Sequence, residues 1–134
     1  MKILTILTIA AIAVNINVAN ADTCTDSSGA ILTGVNGHNY CLGTKDMNWW
    51  TAYAWCEGQG RHLATMYELC PDWDGSTGTY KCANISVPEY SSNGNIAFWS
   101  STASGDRRGF YAFAERGGRI DTDVRNSVRK AICY

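Results

Sequence analysis

The sequence predicts an α+β domain in which a β-hairpin, two helices and a long irregular segment precede a C-terminal antiparallel sheet. Helical spacing of apolar residues occurs within residues 48–70, whereas alternation of apolar and polar residues is concentrated in residues 96–134. Six cysteines follow an apolar leader, which is typical of a small secreted domain held by disulfides. Helices and strands that occupy separate parts of the chain indicate the α+β class.

Residues 1–21 are predicted to be a signal peptide. Lys2 provides the positive start, an apolar run follows, and Ala19-Asn20-Ala21 matches the A-x-A cleavage pattern. A membrane anchor is the alternative, but the run is short for a membrane span and no stop-transfer charge follows it. We therefore expect one mature domain, residues 22–134, without membrane insertion after cleavage and with a secreted, periplasmic or cell-surface location.

The charge of the mature chain is close to neutral but unevenly distributed. Without Lys2 the chain carries ten basic and twelve acidic residues, a formal charge of −2, which argues against nucleic acid as a partner. Residues 107–130 nevertheless contain seven basic and three acidic residues. This basic segment is either a solvated face of the sheet or a patch that attracts anions.

The six cysteines predict three disulfides in an oxidising compartment. Six cysteines allow many pairings, and the residues themselves do not choose among them. Zinc is the competing use of cysteine, but no C-x-x-C occurs and His38 and His62 lack the spacing of zinc-finger ligands. We therefore do not expect a structural zinc site.

The N-terminal half contains the hairpin and the first helix. Ile31-Leu32 and Tyr40-Cys41-Leu42 are strand candidates on either side of turn residues 34–37. Asn48 is the expected N-cap of the helix, and Gly58 or Gly60 is expected to supply its left-handed C-terminal position. One helical face collects four residues, namely Trp49, Ala52, Tyr53 and Cys56.

Two further tryptophans lie off that helical face. Trp50 and Trp55 are on opposite sides of it, so the helix is apolar almost all round. A helix of this kind should be covered on more than one side. We expect packing to account for most of the aromatic residues here, with one tryptophan left for a ligand.

A second, short helix and a long irregular region follow. Thr65-Met66-Tyr67-Glu68 fits a capping box, so we assign Glu68 a structural rather than a catalytic role, and Pro71 ends the helix. Residues 71–95 are rich in Gly, Ser, Asn, Asp and Tyr. A long segment without regular structure is usually functional or disordered, and its aromatic residues favour a functional role. These aromatic residues are Trp73, Tyr80 and Tyr90.

The C-terminal third is predicted to form the sheet. The strand candidates are IAFWSST at residues 96–102, GFYAFA at residues 109–114 and VRKAICY at residues 128–134. Gly117-Gly118 is a hairpin-turn signal before Arg119-Ile120.

Several of these motifs, taken in order, resemble the C-type lectin-like domain family. Trp49, Ala52 and Cys56 line one helix face, and a G-x-x-L-A string that begins at Gly60 follows. A late WSST and Cys133 in the last strand complete the pattern. The strings RHLATMYEL, FWSST and VRKAIC resemble the bacterial version of the domain, found at the C-terminus of the collagen-like adhesin of Legionella. The resemblance covers roughly residues 40–133 and implies the C-type lectin-like fold.

The resemblance also implies a disulfide between the first helix and the last strand, Cys56–Cys133. Sequence proximity then pairs Cys24–Cys41 and Cys70–Cys82. The first of these matches the N-terminal hairpin bridge of longer family members. The second departs from the family, whose second bridge usually lies nearer the final strands.

The calcium motifs of sugar-binding family members are absent from this sequence. Those members use Glu-Pro-Asn or Gln-Pro-Asp followed by Trp-Asn-Asp, and none of these strings occurs. Asp72 and Asp74 carry suitable oxygens, but calcium needs about six to eight oxygen ligands, and DWDG is also a good turn sequence. We expect no cofactor, with Asp72 and Asp74 as weak calcium candidates.

The resulting functional hypothesis is a non-catalytic, adhesin-like binding module for a glycan or a surface protein. Its surface would be formed by the long loop and the C-terminal strands. Aromatic residues offer flat faces for a sugar ring or a protein contact, and arginines pair with sulfate or carboxylate. Arginines of this kind would fit a sulfated polysaccharide. The expected ligand-binding residues are Trp73, Tyr80, Tyr90, Arg107, Arg108, Arg119 and Arg125.

Two other classes of function remain open. One is a protein-specific inhibitor, or a subunit of a pilus or another surface assembly, which would use the same residues. The other is a small secreted hydrolase, in which His38 and His62 would act with Lys45 or Lys81. We expect no catalysis, because His62 lies where the family has a structural residue, and no spacing singles out a pair of carboxylates.

Overall fold

Seven strands and two helices form in the part of the chain that the structure describes. The computed structural model describes residues 24–25, 29–80, 82, 85, 96–113 and 119–134, so the expected signal peptide lies outside it. The strands are β1 Gly29–Thr33, β2 Asn39–Met47, β3 Gly78–Thr79, β4 Ala97–Ser104, β5 Arg108–Phe113, β6 Arg119–Val124 and β7 Arg129–Cys133. The helices are α1 Trp49–Gly58 and α2 Met66–Leu69. These elements confirm the α+β class.

All seven strands belong to a single sheet, in the order β1-β2-β7-β4-β5-β6-β3. The last strand, β7, lies between β2 and β4, so the N-terminal hairpin and the C-terminal strands are continuous. Cys41 pairs with Cys133, and Phe98 pairs with Lys130. The β4–β7 pair is parallel, whereas the C-terminal sheet was expected to be antiparallel. The reason is that β7 runs antiparallel to β2 and enters the sheet beside β4.

The N-terminal hairpin forms as the sequence predicts. Leu32 pairs with Tyr40 and Ile31 pairs with Cys41. The turn closes through the amide of Gly34, which donates to the carbonyl of His38 at 2.8 Å. This turn places the His38 side chain beside the end of the last strand, where it contacts Tyr134.

Helix α1 begins at the predicted cap and ends two residues before a left-handed glycine. The Asn48 side chain accepts a hydrogen bond from the amide of Thr51 at 2.9 Å. Gly60, rather than Gly58, takes the left-handed position, with φ of +70°. The Cβ atom that other residues carry makes this conformation unfavourable, so glycine suits the position.

Only one side of α1 is covered by the described structure. Ala52 and Cys56 are buried, and the helix contacts β7, β2 and β4. Trp50 and Tyr53 remain 50% and 38% exposed. The expectation that this helix is covered on more than one side is therefore wrong, because the three strands that it contacts belong to one sheet.

Helix α2 is held by the predicted capping box. The amide of Glu68 donates to the Thr65 hydroxyl at 3.2 Å, and the amide of Thr65 donates to the Glu68 carboxylate at 2.7 Å. The helix ends before Pro71, with Cys70 at its C-cap. The carboxylate of Glu68 therefore has the structural role that the sequence predicts.

The sheet separates two hydrophobic clusters, because successive side chains along a strand point to opposite faces. One cluster contains α2 residues with Phe98, Phe110 and Ile132. The other contains α1 residues with Trp99 and Tyr111. Each face of the sheet therefore has its own helix.

Three disulfides join the described elements: Cys24–Cys41, Cys56–Cys133 and Cys70–Cys82. They are the same pairs that the sequence analysis expects. Cys56–Cys133 fastens α1 to β7 across a separation of 77 residues. Disulfides of this kind are typical of an extracellular or otherwise oxidising environment. Neither described helix has the length and apolar character that crossing a membrane requires.

We predict that removing the Cys56–Cys133 disulfide destabilises the protein more than removing Cys70–Cys82. The loop-entropy model gives about 4 kcal/mol for the separation of 77 residues and about 3 kcal/mol for that of 12 residues. The test compares the two double Cys→Ser variants by urea denaturation. All four cysteines are buried, so the packing losses are matched. A larger loss for the Cys70/Cys82 variant would contradict the prediction.

Candidate functional site

Three elements converge at one end of the sheet. They are the β4–β5 turn at residues 105–107, the β6–β7 turn at residues 125–128 and the N-terminus of α1. The amide of Arg125 donates to the carbonyl of Arg107 at 3.1 Å, and the amide of Trp49 donates to the carbonyl of Arg125 at 3.0 Å. We call this surface the arginine end, because it carries Arg107, Arg108 and Arg125.

The side chain of Arg125 holds the two turns against the helix. Its guanidinium carbon lies 4.3 Å from the centroid of the Trp49 ring, a cation–π contact. Its Nη2 donates to the carbonyl of Gly105 at 3.2 Å, and its Nε donates to the carbonyl of Arg108 at 3.4 Å. Arg125 therefore has a structural role at the arginine end, although it remains partly exposed.

Arg107 and Arg108 are exposed at the same end. Arg108 donates from Nε to the Thr122 hydroxyl at 3.1 Å and from Nη2 to the Thr122 carbonyl at 2.6 Å. These two bonds hold its guanidinium over β6 on the α2 face of the sheet, because Arg108 and Phe110 point to the same side of β5. The arginine end therefore presents three cations, two from the turns and one from the first residue of β5, whereas Asp106 adds one exposed acid next to Arg107 in the chain.

Exposed aromatic side chains on α1 adjoin Arg125 through Trp49. The rings of Trp50 and Tyr53 contact Trp49, with centroid separations of 6.2 Å and 5.6 Å. The sequence predicts that one tryptophan of this helix is left for a ligand, but Trp50 and Tyr53 are not among the predicted site residues. The position of Trp50 off the main helical face is the sequence feature that could have identified it as a candidate site residue. Val124 and Val128, which flank the β6–β7 turn, are also exposed.

Trp73 does not offer the stacking face that the sequence analysis expected. It is 7% exposed and packs against Phe110, with ring centroids 4.9 Å apart. Its indole N–H donates to the carbonyl of Ser76 at 2.8 Å. The ring is buried because the segment after α2 folds back onto the sheet.

Tyr80 and Asp74 are engaged with each other in the same segment. The Tyr80 hydroxyl donates to the Asp74 carboxylate, which also accepts from the amide of Ser76 at 3.0 Å. The hydrogen bond from the Ser76 side chain, followed by the one from Tyr80, lowers the pKa of Asp74 below its usual range. Asp74 therefore serves a turn, as the alternative interpretation of DWDG predicted. Tyr90 lies outside the described residues.

A metal site does not emerge from the described residues. No group of three or more His, Cys, Asp or Glu side chains within them is placed to hold a metal ion. Asp72, the second weak calcium candidate, is exposed at the surface. The pair Asp72 and Asp74 thus lacks further carboxylate ligands in this part of the chain.

Arg119 lies at the opposite end of the sheet from the arginine end. It pairs with Thr79 of β3 and forms an ion pair with Asp121 at 3.3 Å. Because a strand rises roughly 3.3 Å per residue, Arg119 is ~17 Å from Val124 at the other end of β6. The structure therefore brings together three of the four predicted arginines and separates the fourth.

The two histidines meet on the ring of Tyr134, although they are distant in sequence. His38 stacks on that ring with centroids 3.7 Å apart, and the His62 centroid lies 5.5 Å from it. His62 Nε2 lies 2.9 Å and 3.0 Å from the two Glu68 carboxylate oxygens. Lys45 is on β2, and Lys81 lies outside the described residues. This cluster ties the hairpin turn, the α1–α2 connection and the end of β7 together.

A cleft of about 290 Å³ lies at the start of β4. Its two basic lining residues are already paired, since Lys130 contacts Asp46 at 3.2 Å and Arg129 contacts Asp123 at 2.8 Å. These ion pairs make the cleft less suited to an anion than the arginine end. Its described lining residues are Asp46, Ile96, Ala97, Phe113, Arg129 and Lys130.

Comparisons with known proteins add no relative. Neither a family model, nor a curated protein, nor a solved structure matches the chain significantly. The function is therefore inferred from the residues of this chain and from their geometry.

We predict that Gly109→Ala disturbs the arginine end. A Cβ atom at Gly109 would lie 2.7 Å from Cδ1 of Trp49, so the indole that supports Arg125 must move. Overpacking of this kind costs about 1–3 kcal/mol. Urea denaturation measures the loss, and near-UV circular dichroism reports the moved indole. Gly58→Ala is the control, because a Cβ there meets no atom within 4 Å. Equal behaviour of the two variants would contradict the prediction.

We predict that acidification destabilises the histidine cluster. Burial lowers the pKa of His38 below its ordinary value of 6.5, and the nearby Arg61 cation adds to this effect, as does His62, whereas Glu68 opposes it. His38 Nε2 is buried and has no hydrogen-bond partner within the described structure. As the pH falls, the His38 side chain therefore binds a proton at a higher pH in the unfolded chain than in the folded protein.

The stability that His38 contributes is present above pH 6.5 and is lost as the pH falls through the folded-state pKa. The free energy of unfolding should decrease over that range in the unmodified protein. His38→Phe keeps an aromatic ring on Tyr134 but does not titrate, so its pH dependence should be shallower. Parallel stability–pH curves for the two proteins would contradict the assignment to His38.

Proposed function

We propose that this chain is a secreted, non-catalytic binding module that recognises an anionic glycan, such as a sulfated polysaccharide, at the arginine end. The observation that carries the proposal is the convergence of Arg107, Arg108 and Arg125 where two hydrogen-bonded turns meet the N-terminus of α1. Arg125 adjoins the exposed aromatic residues of α1 through Trp49, whereas Arg108 lies at the same end of the sheet on its α2 face.

The chemistry of arginine suits such a ligand. A guanidinium group presents planar donors that match sulfate and carboxylate oxygens, and it is less strongly hydrated than an ammonium group. The bonds from Arg108 to Thr122 and from Arg125 to Gly105 restrict these side chains before any ligand binds. Restriction of this kind reduces the side-chain conformational entropy that is lost when a ligand binds.

The electrostatics of α1 add to this preference. The first turn of the helix contains no acidic residue, and its N-terminus carries a partial positive charge that extends over the arginine end. Asp123, the acid nearest to this end on β6, is already paired with Arg129. A negatively charged ligand is therefore favoured here over a neutral or cationic one.

We also propose that the domain has the C-type lectin-like fold. The order of the sequence motifs supports this, and so does the disulfide that links the first helix to the last strand. The central position of β7 beside the N-terminal hairpin is compatible with it. In this proposal the ligand surface depends on arginines rather than on a calcium ion.

We predict that Arg107→Ala/Arg108→Ala weakens binding to dextran sulfate by about tenfold or more. A hydrogen bond to a charged group contributes about 1.5–3 kcal/mol, and about 1.4 kcal/mol corresponds to tenfold in affinity. Isothermal titration calorimetry measures the dissociation constant. The matched control is Arg119→Ala, which removes an arginine from the far end of β6 and should leave the affinity unchanged.

Three further comparisons complete this test. Uncharged dextran of the same length should not bind, added salt should weaken binding to dextran sulfate, and a calcium chelator should have no effect. A sensitivity to chelator would require a calcium site in place of the arginines. An unmodified protein that binds no sulfated, carboxylated or neutral glycan would overturn the proposed function.

A further inference from the structure

Trp50 and Tyr53 are the largest exposed aromatic residues of α1, and they lie on its solvent side. Their positions, three residues apart, make them neighbours on the helix surface. Trp50 is 50% exposed although indole is among the side chains most favoured in protein interiors and interfaces. Trp49 covers part of each ring, and Tyr53 remains 38% exposed.

The support beneath these rings is rigid. Trp49, which both rings contact, donates its indole N–H to the carbonyl of Ser100 at 2.8 Å. Gly109 allows that indole to lie directly against β5, and Arg125 covers its other side. Trp50 and Tyr53 are therefore held by a fixed ring on a regular helix, which limits the freedom lost when a ligand binds.

The neighbourhood of these rings shows which ligand they suit. Arg125 contacts Trp49 directly, so the aromatic rings adjoin the arginine end through Arg125. A ligand that spans both must carry an apolar face for the rings and anionic groups for the guanidinium groups. A pyranose ring has such a face in its C–H bonds, and sulfate or carboxylate substituents supply the charge.

We propose that Trp50 and Tyr53 form an aromatic platform on which the sugar rings of the anionic glycan stack while its charged groups contact the arginine end. This inference rests on the proposed function and assigns the selectivity for a sugar chain, rather than for any polyanion, to α1. The platform lies on the first helix, away from the long loop in which the sequence analysis placed the aromatic contacts.

The test compares two probes on four proteins by isothermal titration calorimetry. Dextran sulfate carries sugar rings and negative charge, whereas inorganic polyphosphate carries charge without sugar rings. The proteins are the unmodified chain, Trp50→Ala, Tyr53→Ala and the control Tyr67→Ala. Tyr67 is 58% exposed on α2, on the opposite face of the sheet. Near-UV circular dichroism checks that each variant keeps its fold.

We expect Trp50→Ala to weaken dextran sulfate binding by about five- to tenfold, as is usual for a buried aromatic anchor of an interface. Tyr53→Ala should have a smaller effect in the same direction. Polyphosphate binding should change by less than about twofold in every variant, since it depends on the arginines. Trp50→Tyr, which keeps a flat ring, should recover most of the lost affinity.

Two results would overturn the platform while leaving the proposed function intact. One is unchanged dextran sulfate binding by Trp50→Ala in a protein whose binding still depends on Arg107 and Arg108. The other is an equal loss for both probes, which would mean that Trp50 only supports the arginines. Failure of the unmodified protein to bind dextran sulfate would instead overturn the proposed function itself.

Discussion

Strand β7 holds the two halves of this chain together, because it pairs with β2 on one side and with β4 on the other and carries the cysteine that is bonded to α1. Backbone hydrogen bonds give this strand its register, and the Cys56–Cys133 disulfide fixes the helix over it. Without β7, the N-terminal hairpin and the C-terminal strands would share no sheet partner. The two hydrophobic clusters could then not form on opposite faces of one sheet.

The central position of β7 also determines where the candidate site lies. The turn that leads into β7 carries Arg125, whose backbone and side chain reach the β4–β5 turn and the start of α1. These contacts place side chains from distant parts of the sequence on one surface. At the other end of β7, Tyr134 receives His38 from the hairpin turn and His62 from the segment after α1. One strand thus organises the arginine end on one side of the molecule and the cluster of His38, His62 and Tyr134 on the other.

The parts of the fold that local interactions decide were predictable. Asn48 and Thr65 cap their helices by accepting hydrogen bonds from amides three residues ahead, so the signal lies within a few neighbouring residues. The hairpin pairing follows from alternation around a short turn. The disulfide pairs were also expected, although Cys56–Cys133 came from a family resemblance rather than from local spacing.

Exposure and proximity were decided by the tertiary structure. Trp73 lies in a polar stretch of the sequence and Trp50 in an apolar one, yet the first is buried against Phe110 and the second is half exposed. Arg119 and Arg125 lie on one short stretch of chain, yet an extended strand carries them to opposite ends of the sheet. By itself, the sequence determined the class of fold, the caps and the turns, because these depend on neighbours along the chain. The composition of the candidate site depends on which distant segments pack together, and only the tertiary structure decided that.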